Sequence, residues 1–102
     1  MATGTAQNQF IVPSAQYSVA NNSSITFSFS NGDRVFIITS GAAAGSRGLY
    51  LTNTSSTAAS FSAIASASGL TVSASGQSLT IANASGGYAF ILLLVISGGL
   101  PS

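Results

Sequence analysis

Apolar residues recur along this chain with a period of two residues. In the segment Ser24–Ser30, large apolar side chains alternate with Ser and Thr, and Leu70–Ser75 repeats the alternation. Because successive side chains of a strand point to opposite faces, this pattern predicts half-buried β-strands. No long stretch shows the 3.6-residue period of a helix. The predicted strands are Phe10–Val12, Gln16–Val19, Ile25–Ser30, Arg34–Thr39, Gly48–Asn53, Ser60–Ala65, Leu70–Ser75, Gln77–Asn83 and Tyr88–Ser97.

Turn residues separate these segments. Asn31-Gly32 predicts a tight hairpin turn, because both residue types accept the positive φ angles that such turns need. Gly76 predicts a second hairpin, residues 83–87 a third connection, and residues 41–46 a looser loop. Eight or nine short strands at this spacing are typical of β-sandwiches, jelly rolls and barrels. We therefore predict an all-β fold, a jelly-roll-like antiparallel β-sandwich spanning residues 10–102.

Residues 1–9 differ from the rest of the chain. After Met1 they contain no large apolar side chain that could contribute to a core. We predict that they form an extended N-terminal arm outside the sandwich.

Two predicted strands are apolar on both faces. Val35–Ile38 and Phe90–Ile96 consist of large apolar side chains without alternation. One face of each strand can meet the core, and the other must also be covered, because large exposed apolar patches are rare on monomers. A loop over a central strand would cover it, but a subunit interface fits better with the shortage of charge elsewhere. The predicted interface residues are Phe36, Ile38, Ile91, Leu93 and Val95.

Charge is almost absent. Only Asp33, Arg34 and Arg47 are charged, and the chain contains no His, Cys or Trp. General acid–base catalysis uses His, or carboxylates and Lys in tuned environments, and metal sites need several His, Cys or carboxylate ligands. Two arginines provide too few phosphate contacts for nucleic-acid binding. We expect no enzymatic activity, no cofactor, no metal and no nucleic-acid partner, and we expect a homo-oligomer because little charge opposes association.

No segment is expected to insert into a membrane. The longest apolar run, Ala89–Ile96, is much shorter than the ~20 residues of a membrane-spanning helix. The N-terminus also lacks the apolar core of a secretory signal.

Three residues are candidate contacts with a partner. Arg47 lies in a predicted loop, where it could meet an acidic partner or pair with Asp33. Tyr50 alternates with two leucines, which predicts an exposed ring, and Tyr88 begins the last predicted strand. Tyr on a surface rich in Ser and Asn suits contact with a glycan or a protein. In the alternative interpretation, each Tyr closes an edge of the core and Arg47 is a solvated loop residue.

From Gly32 to the C-terminus, the order of segments resembles that of bacteriophage virion proteins. The strand Arg34–Thr39 is followed by a Gly-rich loop, a GLYL strand, the segment Ser68–Gly87 and the apolar strand Tyr88–Ser97. This order is similar to the jelly-roll knobs at tail-fibre tips and to jelly-roll capsid decoration proteins. The resemblance implies a trimer located in the virion, an extracellular particle, after synthesis in the host cytoplasm. It carries over no functional residue.

Three functions are expected in order of preference. The first is a structural protein that decorates or stabilises a phage capsid or is attached to the tail, with arm 1–9 anchored to a neighbouring subunit or another virion protein. The second is a fibre knob that binds a receptor or a host surface glycan. The third is a self-assembling β-rich fibre protein, because Ala89–Ile96 has the uncharged, proline-free profile of cross-β segments.

Overall fold

The computed structural model describes residues 13–42 and 44–102, and these residues form two antiparallel sheets packed face to face. The five-stranded sheet has the order β1-β8-β3-β4-β5, and the three-stranded sheet has the order β2-β7-β6. This arrangement confirms the predicted all-β sandwich. The predicted strand Phe10–Val12 and the arm 1–9 lie outside the described residues. The elements are β1 (Ser14–Val19), β2 (Ser23–Ser28), β3 (Arg34–Gly41), a single 3-10 turn (Ala44–Ser46), β4 (Gly48–Thr54), β5 (Ala59–Ala65), β6 (Leu70–Ser75), β7 (Ser78–Asn83) and β8 (Ala89–Ser97).

The first two described strands pair with the last two. β1 pairs with β8 and β2 pairs with β7, which places Tyr17 opposite Ile91 and Phe27 opposite Leu79. The chain therefore crosses between the layers at β1–β2, β2–β3, β5–β6 and β7–β8, as in a jelly roll. The other strands are connected more locally, because β3, β4 and β5 form a meander and β6 and β7 form a hairpin.

The core lies between the sheets and takes one face of each strand. Phe27 and Leu79 from the three-stranded sheet and Ile37 from the five-stranded sheet are almost completely buried. Tyr17 and Phe27 meet edge to face across the two layers, with ring centroids 5.1 Å apart. Burial of this single apolar layer is the main force that holds the sheets together.

The turn at Asn31-Gly32 is tight, but it does not close a hairpin. The Asp33 N–H donates to the Ser30 carbonyl at 3.0 Å, and Gly32 has a φ of 90° that side chains disfavour. Because β2 and β3 belong to different sheets, this turn carries the chain from one layer to the other, which corrects the hairpin prediction. At Gly76, with a φ of 55°, the predicted hairpin is confirmed between β6 and β7.

Candidate interaction surface

The side of the five-stranded sheet that faces away from the core is apolar. Cross-strand register places Leu92 beside Ile38, and Ile38 beside Leu49. The next row repeats this arrangement with three more large side chains, and β8 extends the surface at both ends. We call this surface the outer apolar face; it consists of Phe36, Ile38, Leu49, Leu51, Phe90, Leu92, Leu94 and Ile96.

The outer apolar face is substantially open to solvent. Phe90 is 54% exposed, Ile96 50% and Leu51 37%. The remaining members are half-buried, because cross-strand neighbours on one face lie close enough to shield each other. A partner would remove further apolar area from water.

The structure corrects the assignment of β8 side chains to the predicted interface. Phe36 and Ile38 lie on the outer apolar face as expected, but Ile91, Leu93 and Val95 point into the core. An unbroken apolar run has no alternation from which its inward face can be read. The flanking Ser97 is a misleading guide, since a bulge shifts the register between Arg34 and Val35 and separates Ser97 from the alternation of the strand.

Polar side chains surround the outer apolar face. Gln16 on β1 and Ser40 on β3 border one side, where they and Phe90 line a depression of about 570 Å³. At the other end, the Arg34 guanidinium donates from Nη1 to Ser97 Oγ at 3.3 Å. An apolar centre with a polar rim is the usual composition of a protein–protein interface.

Tyr50 is a core residue, contrary to the predicted exposed ring. It is 3% exposed, its ring meets Phe61 edge to face at 6.2 Å, and its hydroxyl accepts the Ala67 N–H at 2.8 Å. The two flanking leucines of β4 instead belong to the outer apolar face. The alternation was therefore read correctly, but the inward and outward faces were exchanged.

Arg47 and Tyr88 are both exposed, as their candidate roles require. Arg47 lies between the 3-10 turn and β4. Tyr88 is 57% exposed and directly precedes β8, where it has the same parity as Phe90 and Leu92. Tyr88 therefore extends the stripe of β8 side chains beyond the end of the strand.

Asn83 connects loops at one end of the sandwich by hydrogen bonds, a role that the sequence pattern did not predict. Its buried Nδ2 donates to the Val19 carbonyl at 2.8 Å and to the Gly87 carbonyl at 2.9 Å. Its Oδ1 accepts the N–H and the hydroxyl of Ser85 at 2.9 and 2.7 Å. These bonds attach the loop that carries Tyr88 to the end of β1. An Asn that closes a strand before a Ser-Gly-Gly turn is the sequence signal for such a bonded loop.

The outer side of the three-stranded sheet has the opposite character. Thr26 Oγ1 and Thr80 Oγ1 lie 2.9 Å apart across β2 and β7, and Ser28 and Ser78 lie opposite each other. The sandwich thus has one apolar and one hydroxyl-bearing outer surface. We call the latter the hydroxyl face; it consists of Thr26, Ser28, Thr71, Ser73, Ser75, Ser78 and Thr80.

In the part of the chain that the structure describes, no group of three or more His, Cys, Asp or Glu side chains is placed to hold a metal ion. The described residues also include no helix with the length and apolar character needed to cross a membrane.

Comparison with known proteins gave no match to a family model, to a curated protein or to a solved structure. Function is therefore inferred from the fold and its surfaces.

Proposed function

We propose that this protein is a non-enzymatic virion structural protein that self-associates through its outer apolar face. It decorates or stabilises a phage capsid, or is attached to the tail, as a trimeric module. The observation that carries the proposal is the continuous outer apolar face on the central strands β3 and β8, bordered by uncharged polar residues and Arg34.

The energetics are compatible with self-association. Full burial of a large aliphatic or aromatic side chain is worth about 1.5–3 kcal/mol, so covering the exposed fraction, which is about half for Phe90 and Ile96 and smaller for the other members, gives roughly 1 kcal/mol or less each. Eight such side chains on each associating subunit together provide an amount comparable with the 4–15 kcal/mol range estimated for the cost of association. A second copy is a suitable partner because the surface carries almost no charge that would repel its own copy.

The virion assignment rests on the resemblance of the chain from Gly32 onward to phage decoration and fibre-tip proteins. A nearly uncharged chain also suits a protein whose surface is covered in an assembly. Mass spectrometry of phage particles purified from the organism that encodes the protein tests it, and absence of the protein from those particles would count against a virion role.

Leu92→Lys tests the role of the outer apolar face. Leu92 lies on a central strand at the middle of this surface, where a charge cannot be covered by an apolar partner without a large desolvation cost. We expect the native protein to have a mass in solution that is a multiple of 10.1 kDa, and the variant to have a smaller mass by light scattering while remaining folded by circular dichroism.

Thr80→Lys is the matched control. Thr80 also lies on a central strand and points outward, but on the hydroxyl face. This variant should keep the native oligomeric mass. A native protein that is monomeric at low micromolar concentration would contradict the proposal, as would equal dissociation of both variants.

A further inference from the structure

Among the described residues, no strand pairs with the outer edge of β6 in the three-stranded sheet. Its outward side chains Thr71, Ser73 and Ser75 are exposed, and the strand contains no charge and no proline. Natural edge strands are usually protected by charge, proline, bulges or a covering segment. The edge of β2 has such a cover, because Ser28 and the C-terminal Ser102 exchange two backbone hydrogen bonds of 3.0 Å. The edge strand β5 has a bulge opposite Leu49 and Tyr50.

The hairpin geometry determines which backbone groups of β6 point outward. Ser75 lies opposite Ser78 across a two-residue turn, so these two residues form a hydrogen-bonded pair. Because hydrogen-bonded and non-bonded pairs alternate along an antiparallel ladder, Ser73 and Thr71 also bond to β7. The N–H and C=O groups of Val72 and Ala74 therefore point away from β7.

An independent hydrogen bond supports this alternation. The Phe29 N–H donates to the Gln77 carbonyl at 2.9 Å, so Gln77 points toward β2. By alternation Leu79 and Ile81 also bond to β2, which leaves the intervening β7 residues to bond to β6. The pairing of β7 with β6 and its pairing with β2 therefore both indicate that the backbone N–H and C=O groups of Val72 and Ala74 point away from β7.

We propose that β6 is a second self-association site, at which two copies pair their β6 strands antiparallel around a two-fold axis. In this pairing Val72 of each copy lies opposite Ala74 of the other, and the outward N–H and C=O groups of both residues form hydrogen bonds. Ser73 then lies opposite its own counterpart on the hydroxyl face. The two three-stranded sheets become one continuous six-stranded sheet.

The register between the two β6 strands follows from backbone groups that are already hydrogen-bonded within one copy. The Gly76 carbonyl accepts the Ala59 N–H at 2.8 Å, and the Leu70 N–H donates to the Ala67 carbonyl at 3.4 Å. A shift of the second copy by two residues in either direction would need the Leu70 N–H or the Gly76 carbonyl for a hydrogen bond between the copies, and both groups already have partners. A second copy is the occupant that fits, because the segment LTVSAS is uncharged and its free groups match themselves under two-fold symmetry.

This contact extends the proposed function, since it would join oligomers that the outer apolar face builds. The two contacts use different strands and different directions. β8 packs face to face with a neighbour, whereas β6 continues a sheet sideways. Together they generate a larger array rather than a single closed oligomer.

Ser73→Cys tests the pairing in the full chain, which has no cysteine of its own. Opposed residues in a non-bonded antiparallel pair have Cα atoms about 4.5 Å apart, within the range of a disulfide. We expect mild oxidation to convert this variant to a disulfide-linked dimer of twice 10.1 kDa. Thr71→Cys and Ser75→Cys, on the same exposed face, should each remain uncrosslinked alone and should crosslink when mixed, because each lies opposite the other.

Absence of the Ser73→Cys dimer, or equal crosslinking of all three single variants, would overturn the pairing. Hydrogen-exchange protection of the Val72 and Ala74 amides without a Ser73→Cys crosslink would assign the edge to a different segment and also overturn it. Combining Ser73→Cys with Leu92→Lys separates the two contacts. We expect the crosslink to form in this double variant as well. If the Leu92→Lys protein instead has the same oligomeric mass as the native protein, only the contact through the outer apolar face is refuted.

Discussion

At the scale of single residues, Asp33 shows how this chain uses its one carboxylate. Asp33 follows Asn31-Gly32 in the turn between β2 and β3 and is only 6% exposed. Its Oδ2 accepts the Ser30 N–H at 2.9 Å and its Oδ1 accepts the Gly99 N–H at 3.0 Å. Gly98, with a φ of 78°, allows the C-terminal backbone to pass close to this carboxylate. Asp33 therefore fastens the C-terminal segment to the β2–β3 turn.

Asp33→Asn should destabilise the fold, because an amide provides only one acceptor oxygen for two N–H donors. The buried N–H that loses its acceptor costs about 1–3 kcal/mol. Urea unfolding followed by circular dichroism measures the free energy of unfolding. The exposed neighbour Asn31→Ala is the control and should change it by less than about 0.5 kcal/mol. Equal stability of Asp33→Asn and the native protein would show that the carboxylate is dispensable to the turn.

At the scale of elements, the Thr52 side chain provides hydrogen bonds to β3 at a position where the backbone of β4 does not pair with it. Backbone pairing joins Phe36–Thr39 to β4, and Val35 lies beyond it. The Thr52 hydroxyl accepts the Val35 N–H and donates to the Val35 carbonyl, both at 3.1 Å. Since Val35 is fully buried, this one side chain satisfies both of its backbone groups at the bulge.

Thr52→Val keeps the shape of the side chain and removes the hydroxyl. It should cost about 1–3 kcal/mol for each buried group left unpaired, measured as the free energy of unfolding in urea. Thr54→Val is a closely matched control on the same strand and the same inward face. Among the described residues the Thr54 hydroxyl is buried without a hydrogen-bond partner, so this change should be neutral or stabilising. If both variants lose the same stability, the Thr52 hydroxyl has no special role.

The comparison of strands shows what the sequence could predict. Strands that alternate, such as β2 and β6, could be identified together with their inward faces, because a polar residue marks each outward position. On β3, Arg34 and Ser40 mark the outward parity, and Phe36 and Ile38 were correctly assigned to it. β8 has no such marker along its apolar run, and its bulge lies opposite the end of β3, so its faces could be assigned only from the structure.

The sequence pattern could not predict which strands share a sheet or which distant segments are joined by hydrogen bonds. Whether two neighbouring strands pair or separate into different sheets depends on packing across the core rather than on the turn between them. The Asn31-Gly32 turn illustrates this, because it has the local chemistry of a hairpin turn but connects the two layers. The hydrogen bonds of Asn83 likewise join segments that are distant along the chain.

At the scale of the whole molecule, the sandwich has two unlike outer surfaces. The outer apolar face covers the central strands β3, β8 and the neighbouring β4, while the hydroxyl face presents Ser and Thr on the opposite side. If the outer apolar face meets a neighbour, as we propose, the hydroxyl face is the side that remains toward water.

If association covers the outer apolar face, thermal stability must depend on protein concentration. For a trimer that dissociates as it unfolds, a hundredfold increase in concentration favours the folded state by about 5.4 kcal/mol, or about 1.8 kcal/mol per subunit. A domain near this size gains about 4–8 °C in Tm for each kcal/mol. We expect calorimetry to show a rise of at least about 5 °C over this range for the native protein and for Thr80→Lys. The Leu92→Lys variant should show a smaller rise, because it lacks the contact through the outer apolar face. A native Tm that does not change with concentration would mean that the outer apolar face adds no stability through association, and that its side chains remain in contact with water.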